Sequence, residues 1–312
     1  MTQRDVFLSR LFELAKVDKD VILMAADMGA PSIDKWKSDL PDQFFSMGIS
    51  EQNTINVASG FSNRGKKVYV YFMACWSARC LEQIRYSCSI GNNPITILGC
   101  GVGLGYAPAG PAHNPTDDIA YMKTVCNMEI YSPATNYMVE KLVDYTYNNR
   151  VLSYIRLERT YDTRLDLYYS PSTVPQNILK QGMFKTYNRH SDICILTSGY
   201  LLGRALSVSE KIGCDVIDLF RIDKINRDVF VKTMKDYFVV ANLEEQTVNC
   251  GGFCSMVCRT MMENSLFKPV LNFQLPEKYL LENGNREFLL NKYDLSADYI
   301  AEQIERESNK RY

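Results

Sequence analysis

A serine and the glutamate that follows it are the residues with which a chemical reading of the sequence starts. Ser50 and Glu51 lie in the motif Gly-Ile-Ser-Glu-Gln at residues 48–52, which opens a helical pattern. Serine is a preferred N-cap residue, so we expect Ser50 to cap a helix that carries Glu51 in its first turn. Burial favours the protonated form of a carboxyl group, so a buried Glu51 suits proton sharing with a ligand. The alternative is an ordinary first-turn glutamate, which the helix dipole favours.

Three further side chains could line the same site. Trp76 follows a predicted strand at residues 68–73, and the carboxyl ends of such strands commonly line a ligand crevice. Arg79 lies one helical turn further on, and His113 stands in a Gly-Pro-Ala-His-Asn-Pro turn that presents its side chain. Taken singly, each has a structural alternative: Trp76 as a core tryptophan, Arg79 as a surface arginine and His113 as a structural histidine. Only their combination indicates chemistry.

Taken together, these motifs resemble the pyrimidine-binding domain of the transketolase family of thiamine diphosphate enzymes. The resemblance is to the split forms in particular, in which that domain is on a separate small subunit, and it runs over nearly the whole chain. The order and spacing of the motifs make this resemblance specific. It rests on residues 48–52, Trp76, Arg79, 82–85, 103–106, 110–113, 118–120, Asn127, Met128 and 154–157.

The resemblance implies a bound thiamine diphosphate and assigns roles to four residues. Glu51 would share a proton with the pyrimidine N1′, so that the cofactor's own 4′-imino group forms and removes the C2 proton. Trp76 would lie against the aminopyrimidine ring, and Arg79 close to the cofactor pocket. His113 matches the family histidine that contacts the sugar hydroxyls at the reacting carbons. Glu51 and His113 are thus the expected catalytic residues, and Glu51, Trp76 and Arg79 the expected cofactor-binding residues.

Three positions depart from ordinary transketolases and bear on the choice of substrate. Ala109 stands four residues before His113, where the family carries an aspartate that reads the C2 hydroxyl of the aldose. The phosphate-binding serine and histidine of the family correspond to Ala25 and Gly101. These departures disfavour a simple sugar phosphate as the substrate.

Four residues are candidates for binding a sugar or a sugar derivative. Arg156 and Arg159, near the strand that closes the first domain, could hold an anion, because a guanidinium group binds phosphate or carboxylate through two hydrogen bonds. Asp27 stands at the end of the first predicted strand. His113 completes this set of expected substrate-binding residues.

A motif for the charged end of the cofactor is absent from the sequence. No Gly-Asp-Gly followed by Asn occurs at the spacing that binds diphosphate and Mg²⁺ in the family. The resemblance therefore implies a partner, the large N-terminal transketolase subunit, in an α2β2 assembly. The Mg²⁺ ligands are expected on that subunit and not on this chain.

Composition narrows the class of protein. A net charge of −1 over 312 residues argues against nucleic acid as the main partner, and no apolar run is long enough to span a bilayer. Ten cysteines without a secretory signal indicate a reducing compartment, so we expect a cytoplasmic protein. No Cys-x-x-Cys pair occurs and only two histidines are present, which argues against a metal centre, although Cys250, Cys254 and Cys258 recur on one helix face.

The apolar runs predict two doubly wound α/β domains, because short buried-strand patterns alternate with helical or glycine-rich segments. We assign 1–168 to a pyrimidine-binding domain, 169–190 to a linker that leads into an edge hairpin, and 191–312 to a transketolase C-terminal domain without catalytic groups. A further helix is expected to start at 244–253. Strands are predicted at 21–25, 44–47, 68–73, 94–98, 152–157, 193–197, 215–219 and 237–241, and helices at 76–90, 116–124 and 134–149.

Three functions stay open at this point. The leading hypothesis is the small subunit of a thiamine diphosphate-dependent transketolase-like enzyme that transfers a two-carbon ketol unit between sugars. The second is the beta subunit of a 2-oxo acid dehydrogenase or a related acyl-transferring thiamine enzyme; His113 in its turn, with Asn127 and Met128, favours the first. The third is a non-catalytic subunit that stabilises a partner, against which Glu51 argues.

Overall fold

The strands form two sheets in the computed structural model, which describes residues 1–248 and 251–311. The first sheet contains β1 Val21–Ala26, β2 Phe44–Gly48, β3 Lys67–Met73, β4 Thr96–Cys100, β5 Glu129–Tyr131 and β6 Ser153–Leu157. The second contains β7 Phe184–Tyr187, β8 Ile193–Thr197, β9 Asp215–Asp218, β10 Val239–Thr247 and β11 Val270–Leu275. Two α/β units therefore follow one another along the chain, and the predicted fold class is confirmed.

Helices connect the strands and cover the sheets. None of those in the described part of the chain is long and apolar enough to cross a membrane. The α-helices are α1 Gln3–Val17, α2 Pro31–Asp39, α3 Glu51–Asn63, α4 Leu81–Gln83, α5 Asp118–Met122, α6 Asn136–Asn148, α7 Ile178–Gln181, α8 Leu201–Ile212, α9 Arg227–Met234, α10 Phe253–Glu263, α11 Arg286–Lys292 and α12 Ala297–Ser308. Tighter 3₁₀ turns lie at Pro41–Gln43, Ala74–Cys80, Ala107–Ala109, Pro111–His113, Thr163–Leu167 and Asn309–Arg311, with a π-helical segment at Ile84–Ile90.

The first sheet is parallel throughout, in the order β2-β1-β3-β4-β6-β5. Strands such as β1 and β4 are buried along their whole length because helices pack on both faces. The chain passes from β1 to β2 on one side and then to β3 on the other, so the strand order reverses between β1 and β3. In open α/β sheets, ligands bind outside the carboxyl ends of the strands at such a reversal.

The second sheet has the order β11-β10-β8-β9-β7, and it is parallel except for β7, which runs antiparallel to β9. Its core joins that of the first unit: one apolar cluster contains Leu98 and Ile155 of the first sheet together with Ile195 and Leu243 of the second. The two units are therefore packed against each other along a continuous apolar contact.

The segment that connects the two sheets is packed rather than loose. Tyr169 is buried, and its hydroxyl donates to Asp218 Oδ2 at 2.5 Å. Ile178 is buried as well, and β7 pairs with β9 at the edge of the second sheet. Residues 169–190, all of which the structure describes, hold a single strand, so the predicted edge strand is present but the predicted hairpin is wrong. The domain boundaries stay predictions.

Two helix predictions near the first site need correction. Ser50 does not cap α3, because its hydroxyl donates to the Met47 carbonyl at 2.6 Å and the helix has no side-chain cap. The helix predicted at 76–90 is a 3₁₀ segment, one α-turn and a π-helical segment in succession. Such irregular helices often occur at functional sites.

Missed edge strands and a wrong helix prediction also need correction. The edge strands β5 and β11 were not predicted, and the three residues of β5 are too short to show a pattern. Residues 244–246 lie within β10 instead of starting a helix. They still bear on the next helix, since Glu244 accepts hydrogen bonds from the backbone amides of Phe253 at 2.7 Å and Cys254 at 3.0 Å. The Glu244 side chain of β10 therefore caps the start of α10.

Candidate active site

Glu51 is held at the carboxyl edge of the first sheet. It is the first residue of α3, follows the turn after β2, and is only 4% exposed. Gly48 has a φ of 68°, a conformation that glycine adopts without strain and that turns the chain from β2 toward the helix. Behind Glu51, the helix buries Ile55 and Ala58 against the sheet. This packing fixes the carboxylate in place.

Arg79 links Glu51 to Trp76. Its Nη1 donates to Glu51 Oε2 at 3.1 Å, and its Cζ lies 4.6 Å from the centre of the Trp76 ring. Glu51 Oε1 accepts no hydrogen bond from the described residues. Because the Arg79 side chain is 46% exposed, solvent screens this ion pair and its contribution to stability is small. The three residues predicted to bind the cofactor are therefore neighbours, with one carboxylate oxygen left for a ligand.

The segment around Trp76 is anchored by a hydrogen bond between Ser77 and Tyr121. The Ser77 and Tyr121 hydroxyls lie 2.7 Å apart, which ties this segment to α5. Two thiols lie nearby, but burial raises the pKa of Cys75 to about 11 and that of Cys80 to about 12. Both stay protonated at neutral pH and are poor nucleophiles.

His113 faces Trp76. The two ring centres are 5.4 Å apart with an angle of 65° between the planes. Gly110, with a φ of 80°, starts the turn that brings the histidine there. His113 Nδ1 and the side-chain atoms Oδ1 and Nδ2 of Asn114 are buried without a hydrogen-bond partner in the described part of the chain. Buried polar atoms are normally paired, so this turn has polar atoms that a ligand could satisfy.

The two arginines that the sequence groups as anion ligands have different surroundings. Arg156, in β6, is 6% exposed and binds Asp118 through hydrogen bonds of 2.8 and 3.2 Å. A third bond of 3.1 Å reaches the Ser132 hydroxyl. Its charge is therefore matched inside the fold, where it holds α5 against the sheet. The structure thus gives Arg156 partners within the fold, and its binding of substrate stays a prediction.

Arg159 is exposed beyond the end of β6 and lines a cavity of about 330 Å³. Its Nη1 lies 3.5 Å from the Gly105 carbonyl, and its Cζ lies 4.4 Å from the centre of the Tyr106 ring. Within residues 1–248 and 251–311, no carboxylate pairs with it. Arg159 is therefore free to bind an anion. The cavity is also lined by Thr2, Arg4, Cys100, Gly105, Thr160, Tyr200 and Arg286.

Arg4 is a candidate residue that sequence reasoning missed. It lies in α1 and lines the same cavity, although it also forms an ion pair of 3.0 Å with the aspartate that follows it. Nothing in its local sequence marks it, since only the packing of α1 brings it to the cavity. A side chain at Gly101 would overlap the Tyr106 ring, so glycine there leaves room for that ring. Asp27 is exposed beyond β1 and does not line this cavity.

The arrangement around Glu51 suits proton exchange with a planar aromatic base. The free carboxylate oxygen can bind a ring nitrogen, and Trp76 provides an aromatic surface close by. In the described ranges, no group of three His, Cys, Asp or Glu residues could hold a metal ion. Of the three cysteines on the predicted helix face, Cys250 lies outside the described residues.

Comparison with known sequences identifies the family. The profile of the transketolase pyrimidine-binding domain matches residues 1–161, and that of the transketolase C-terminal domain matches residues 182–300. The chain belongs to the transketolase family. The resemblance drawn from the motifs is confirmed.

Relatives of two lengths occur in this family. A subunit of the apulose-4-phosphate transketolase of Phocaeicola vulgatus is 28% identical over 304 residues, which cover 95% of this chain and 94% of the relative. The putative transketolase C-terminal section of Methanocaldococcus jannaschii is 25% identical over 307 residues, 96% and 94% of the two chains. The 1-deoxy-D-xylulose-5-phosphate synthase of Dechloromonas aromatica is 25% identical over 313 residues, but the match covers 99% of this chain and 49% of the synthase. The chain thus spans about half of that relative.

Solved structures of the family share the fold. A split-gene transketolase described as an inactive β4 tetramer superimposes with a TM-score of 0.84 at 24% identity, over 98% of both chains. Transketolase from Campylobacter jejuni superimposes with a TM-score of 0.75 at 16% identity, over 97% of this chain and 46% of the other. At these identities the likeness establishes the two-unit α/β fold.

Proposed function

We propose that the chain is the pyrimidine-binding subunit of a two-chain, thiamine diphosphate-dependent transketolase-like enzyme that transfers a two-carbon ketol (glycolaldehyde) unit between sugars. The observation that carries this proposal is the buried Glu51 carboxylate, which keeps Oε1 free beside Arg79 and Trp76. A carboxylate and an aromatic surface are what the aminopyrimidine ring of the cofactor needs. The residues present therefore fit this group.

Glu51 would hold a proton between its free oxygen and the pyrimidine N1′. When bound, the cofactor supplies the carbanion chemistry that breaks the bond next to the carbonyl of the donor sugar. Arg79 keeps the charge of Glu51 balanced from the opposite oxygen, and Trp76 contributes stacking worth about 0.5 to 1.5 kcal/mol. His113, whose Nδ1 is buried and unpaired among the described residues, would bind the hydroxyls of the sugar near the reacting carbons.

The partner would be a large N-terminal transketolase subunit that holds the diphosphate and Mg²⁺, in an α2β2 assembly. Two observations support it: the Gly-Asp-Gly…Asn motif is absent, and the Phocaeicola vulgatus relative, matched over 94% of its length, is named as one subunit of a transketolase. The nine cysteines in the described part of the chain form no disulfide bond, which supports a reducing compartment such as the cytoplasm.

The substrate would be a sugar with an anionic group. Arg159 and Arg4 line one cavity, and Arg159 has no acidic partner in the described structure, so an anion there would gain charge-assisted hydrogen bonds. The Phocaeicola vulgatus relative is named for a sugar phosphate, apulose-4-phosphate. The cavity thus favours an anionic substrate, whereas Ala25, Ala109 and Gly101 in the sequence disfavour a simple sugar phosphate.

The test is a transfer assay on the chain reconstituted with a large transketolase subunit from the same genome. Complex loaded with thiamine diphosphate and Mg²⁺ is given a ketose phosphate donor and an aldose phosphate acceptor, and products are identified by mass spectrometry. We expect a product two carbons longer than the acceptor, with little release of CO₂ from pyruvate in a parallel reaction. Decarboxylation of pyruvate without ketol transfer would favour the acyl-transferring alternative. Full transfer activity in a Glu51→Ala complex would favour a non-catalytic subunit.

A further inference from the structure

The second domain reaches the loop that carries His113 through the end of β10. Thr247 donates its backbone N–H to the Thr116 carbonyl at 2.8 Å, and the two hydroxyls lie 3.1 Å apart. Gln246 donates to Asp118 Oδ1 at 3.0 Å and accepts from the Ile119 amide at 3.3 Å. The chain just after His113 is therefore tied to consecutive residues of the second domain.

The same strand end also holds the start of this loop. Glu245 packs against Gly103, where any side chain would overlap its carboxylate and where φ is 55°. Arg286 of α11 binds Glu245 through Nε at 2.7 Å and through Nη2. It also binds Glu158 at the end of β6, through Nη1 at 2.8 Å and Nη2 at 3.3 Å. One arginine thus joins two carboxylates, one from each domain.

These contacts hold two walls of the cavity that Arg159 lines. Glu158, which Arg286 binds, directly precedes Arg159 in the chain. The position of Glu158 therefore fixes the backbone from which the Arg159 side chain extends. Gly103, which Glu245 contacts, leads into Gly105 and Tyr106, the two residues that touch the Arg159 guanidinium. A shift of either carboxylate would therefore move Arg159 or the surface against which it lies.

Arg286 itself is not available to a ligand. It is 9% exposed, its Nε, Nη1 and Nη2 atoms all donate to carboxylates, and its Cζ lies 3.6 Å from the centre of the Tyr200 ring. Glu158 and Glu245 are 3% and 7% exposed, so both charges depend on this arginine. Buried charges in such a network tolerate little displacement, because an unpaired carboxylate would be costly.

We infer that Glu245 and Arg286 are positioning residues, by which the second domain fixes the substrate-facing loop 103–116 and Arg159. The inference rests on the proposed function, because it assigns these residues to the substrate side of that reaction. The expectation that the second domain carries no catalytic group stays a prediction, because these residues act through others. Among the described residues, no hydrogen bond or ion pair joins Glu51 directly to Glu158, Glu245 or Arg286.

The test compares Glu245→Gln with Glu244→Gln. Both glutamates lie in β10 and are almost equally buried, at 7% and 5% exposed. Within the described structure, the hydrogen bonds of Glu244 stay in the second domain, to the start of α10 and to Gln274. Glutamine at 245 keeps the size of the side chain but turns one of its two acceptors into a donor that faces Arg286.

In the reconstituted enzyme, we expect Glu245→Gln to raise KM for the phosphorylated sugar donor about tenfold, with kcat within about threefold of wild type. Thiamine C2 hydrogen exchange should proceed at the wild-type rate, and Glu244→Gln should leave KM unchanged. Equal KM values for both variants would overturn the inference. If the wild-type complex shows neither exchange nor turnover, the proposed function fails instead.

A second measurement separates these cases without activity. Hydrogen–deuterium exchange of the full chain, read by mass spectrometry, should show faster exchange of peptides over residues 103–116 in Glu245→Gln but not in Glu244→Gln. Arg286→Lys keeps the charge while losing the forked geometry, and it should give the same change in KM and in exchange. Wild-type KM and wild-type exchange in a folded Arg286→Lys enzyme would overturn the inference even if Glu245→Gln failed to fold.

Discussion

The residues around Glu51 show how far local sequence can assign chemistry. The motifs predicted Glu51, Trp76, Arg79 and His113 as one group, and the structure brings these four side chains together. Their roles in catalysis stay predictions. The group was accessible to sequence reasoning because its motifs resemble those of the transketolase family in order and spacing. In the structure, each member follows a strand of the same sheet, and the carboxyl ends of parallel strands share one edge.

Arg156 marks the limit of that reasoning. It and Arg159 are three residues apart in one arginine-rich segment, and sequence alone gives them the same role. The strand β6 ends at Leu157, so Arg156 points into the packed layer toward Asp118, whereas Arg159 lies beyond the strand. The partner that neutralises Arg156 is 38 residues away in the chain, and no local pattern shows it.

At the scale of the residue, we predict that His113→Ala lowers kcat/KM by about 10- to 100-fold while thiamine diphosphate binding stays intact. The reason is that His113 would bind the sugar, whereas Glu51 and Trp76 would bind the coenzyme. Steady-state rates and a cofactor titration on one preparation of the reconstituted enzyme measure both effects.

The chain's other histidine provides the control for this substitution. His190 is exposed and has a φ of 54°, which asparagine tolerates, so His190→Asn should match wild type. Loss of cofactor binding and of the folded circular-dichroism spectrum in His113→Ala would show that this histidine is structural.

At the scale of the element, buried central strands could be predicted, whereas irregular segments and the edge strands β5 and β11 could not. The apolar runs of β1, β3 and β8 have the length and composition of buried strands. By contrast, the 3₁₀ and π-helical turns from Ala74 to Ile90 depend on tertiary packing around Trp76 rather than on periodicity. The segment 169–190 lacks periodicity too, yet it is held by the Tyr169–Asp218 hydrogen bond.

Asp218, which binds this segment, makes the free energy of unfolding depend on pH. Burial raises the pKa of Asp218 to about 7, although the hydrogen bond from Tyr169 opposes the shift. Because this pKa lies above the unfolded-state value, the protonated carboxyl stabilises the fold at low pH, and the contribution is lost as pH rises toward 7. Between pH 5 and pH 8, the free energy of unfolding of Asp218→Asn should therefore rise relative to wild type by up to about 3 kcal/mol. Urea denaturation across this range measures the difference.

Asp215 in the same strand is the matched control for the pH series. Against the effect of burial, hydrogen bonds from the Arg189 amide, Tyr237 and Lys185 hold the pKa of Asp215 below its usual value. Its contribution is lost only as pH falls below about 4, so the difference between Asp215→Asn and wild type should stay constant from pH 5 to pH 8. A constant difference for Asp218→Asn as well would mean that Asp218 is ionised throughout.

At the scale of the whole molecule, the sequence predicted two α/β units but not how they work together. The network of Glu158, Glu245 and Arg286 spans 128 residues between Glu158 and Arg286, and the stretch that contains Glu245 was predicted to start a helix rather than to bind Arg286. Such long-range pairs appear only once both domains are folded and packed. The chain also lacks the diphosphate-binding motif, so by this account the site is completed by a second subunit.

The most direct test of the central claim is hydrogen–deuterium exchange at thiamine C2 in the reconstituted complex, quenched in acid and read by proton NMR. Wild type, Glu51→Gln and the control Glu82→Gln, an exposed glutamate near the same site, are each saturated with cofactor. Glutamine can hydrogen-bond N1′ but cannot share a proton with it, so exchange in Glu51→Gln should be slower by about 10² to 10⁴-fold, with Glu82→Gln as fast as wild type. Exchange in Glu51→Gln at the wild-type rate would contradict the account, because Glu51 would then not be the activating carboxylate.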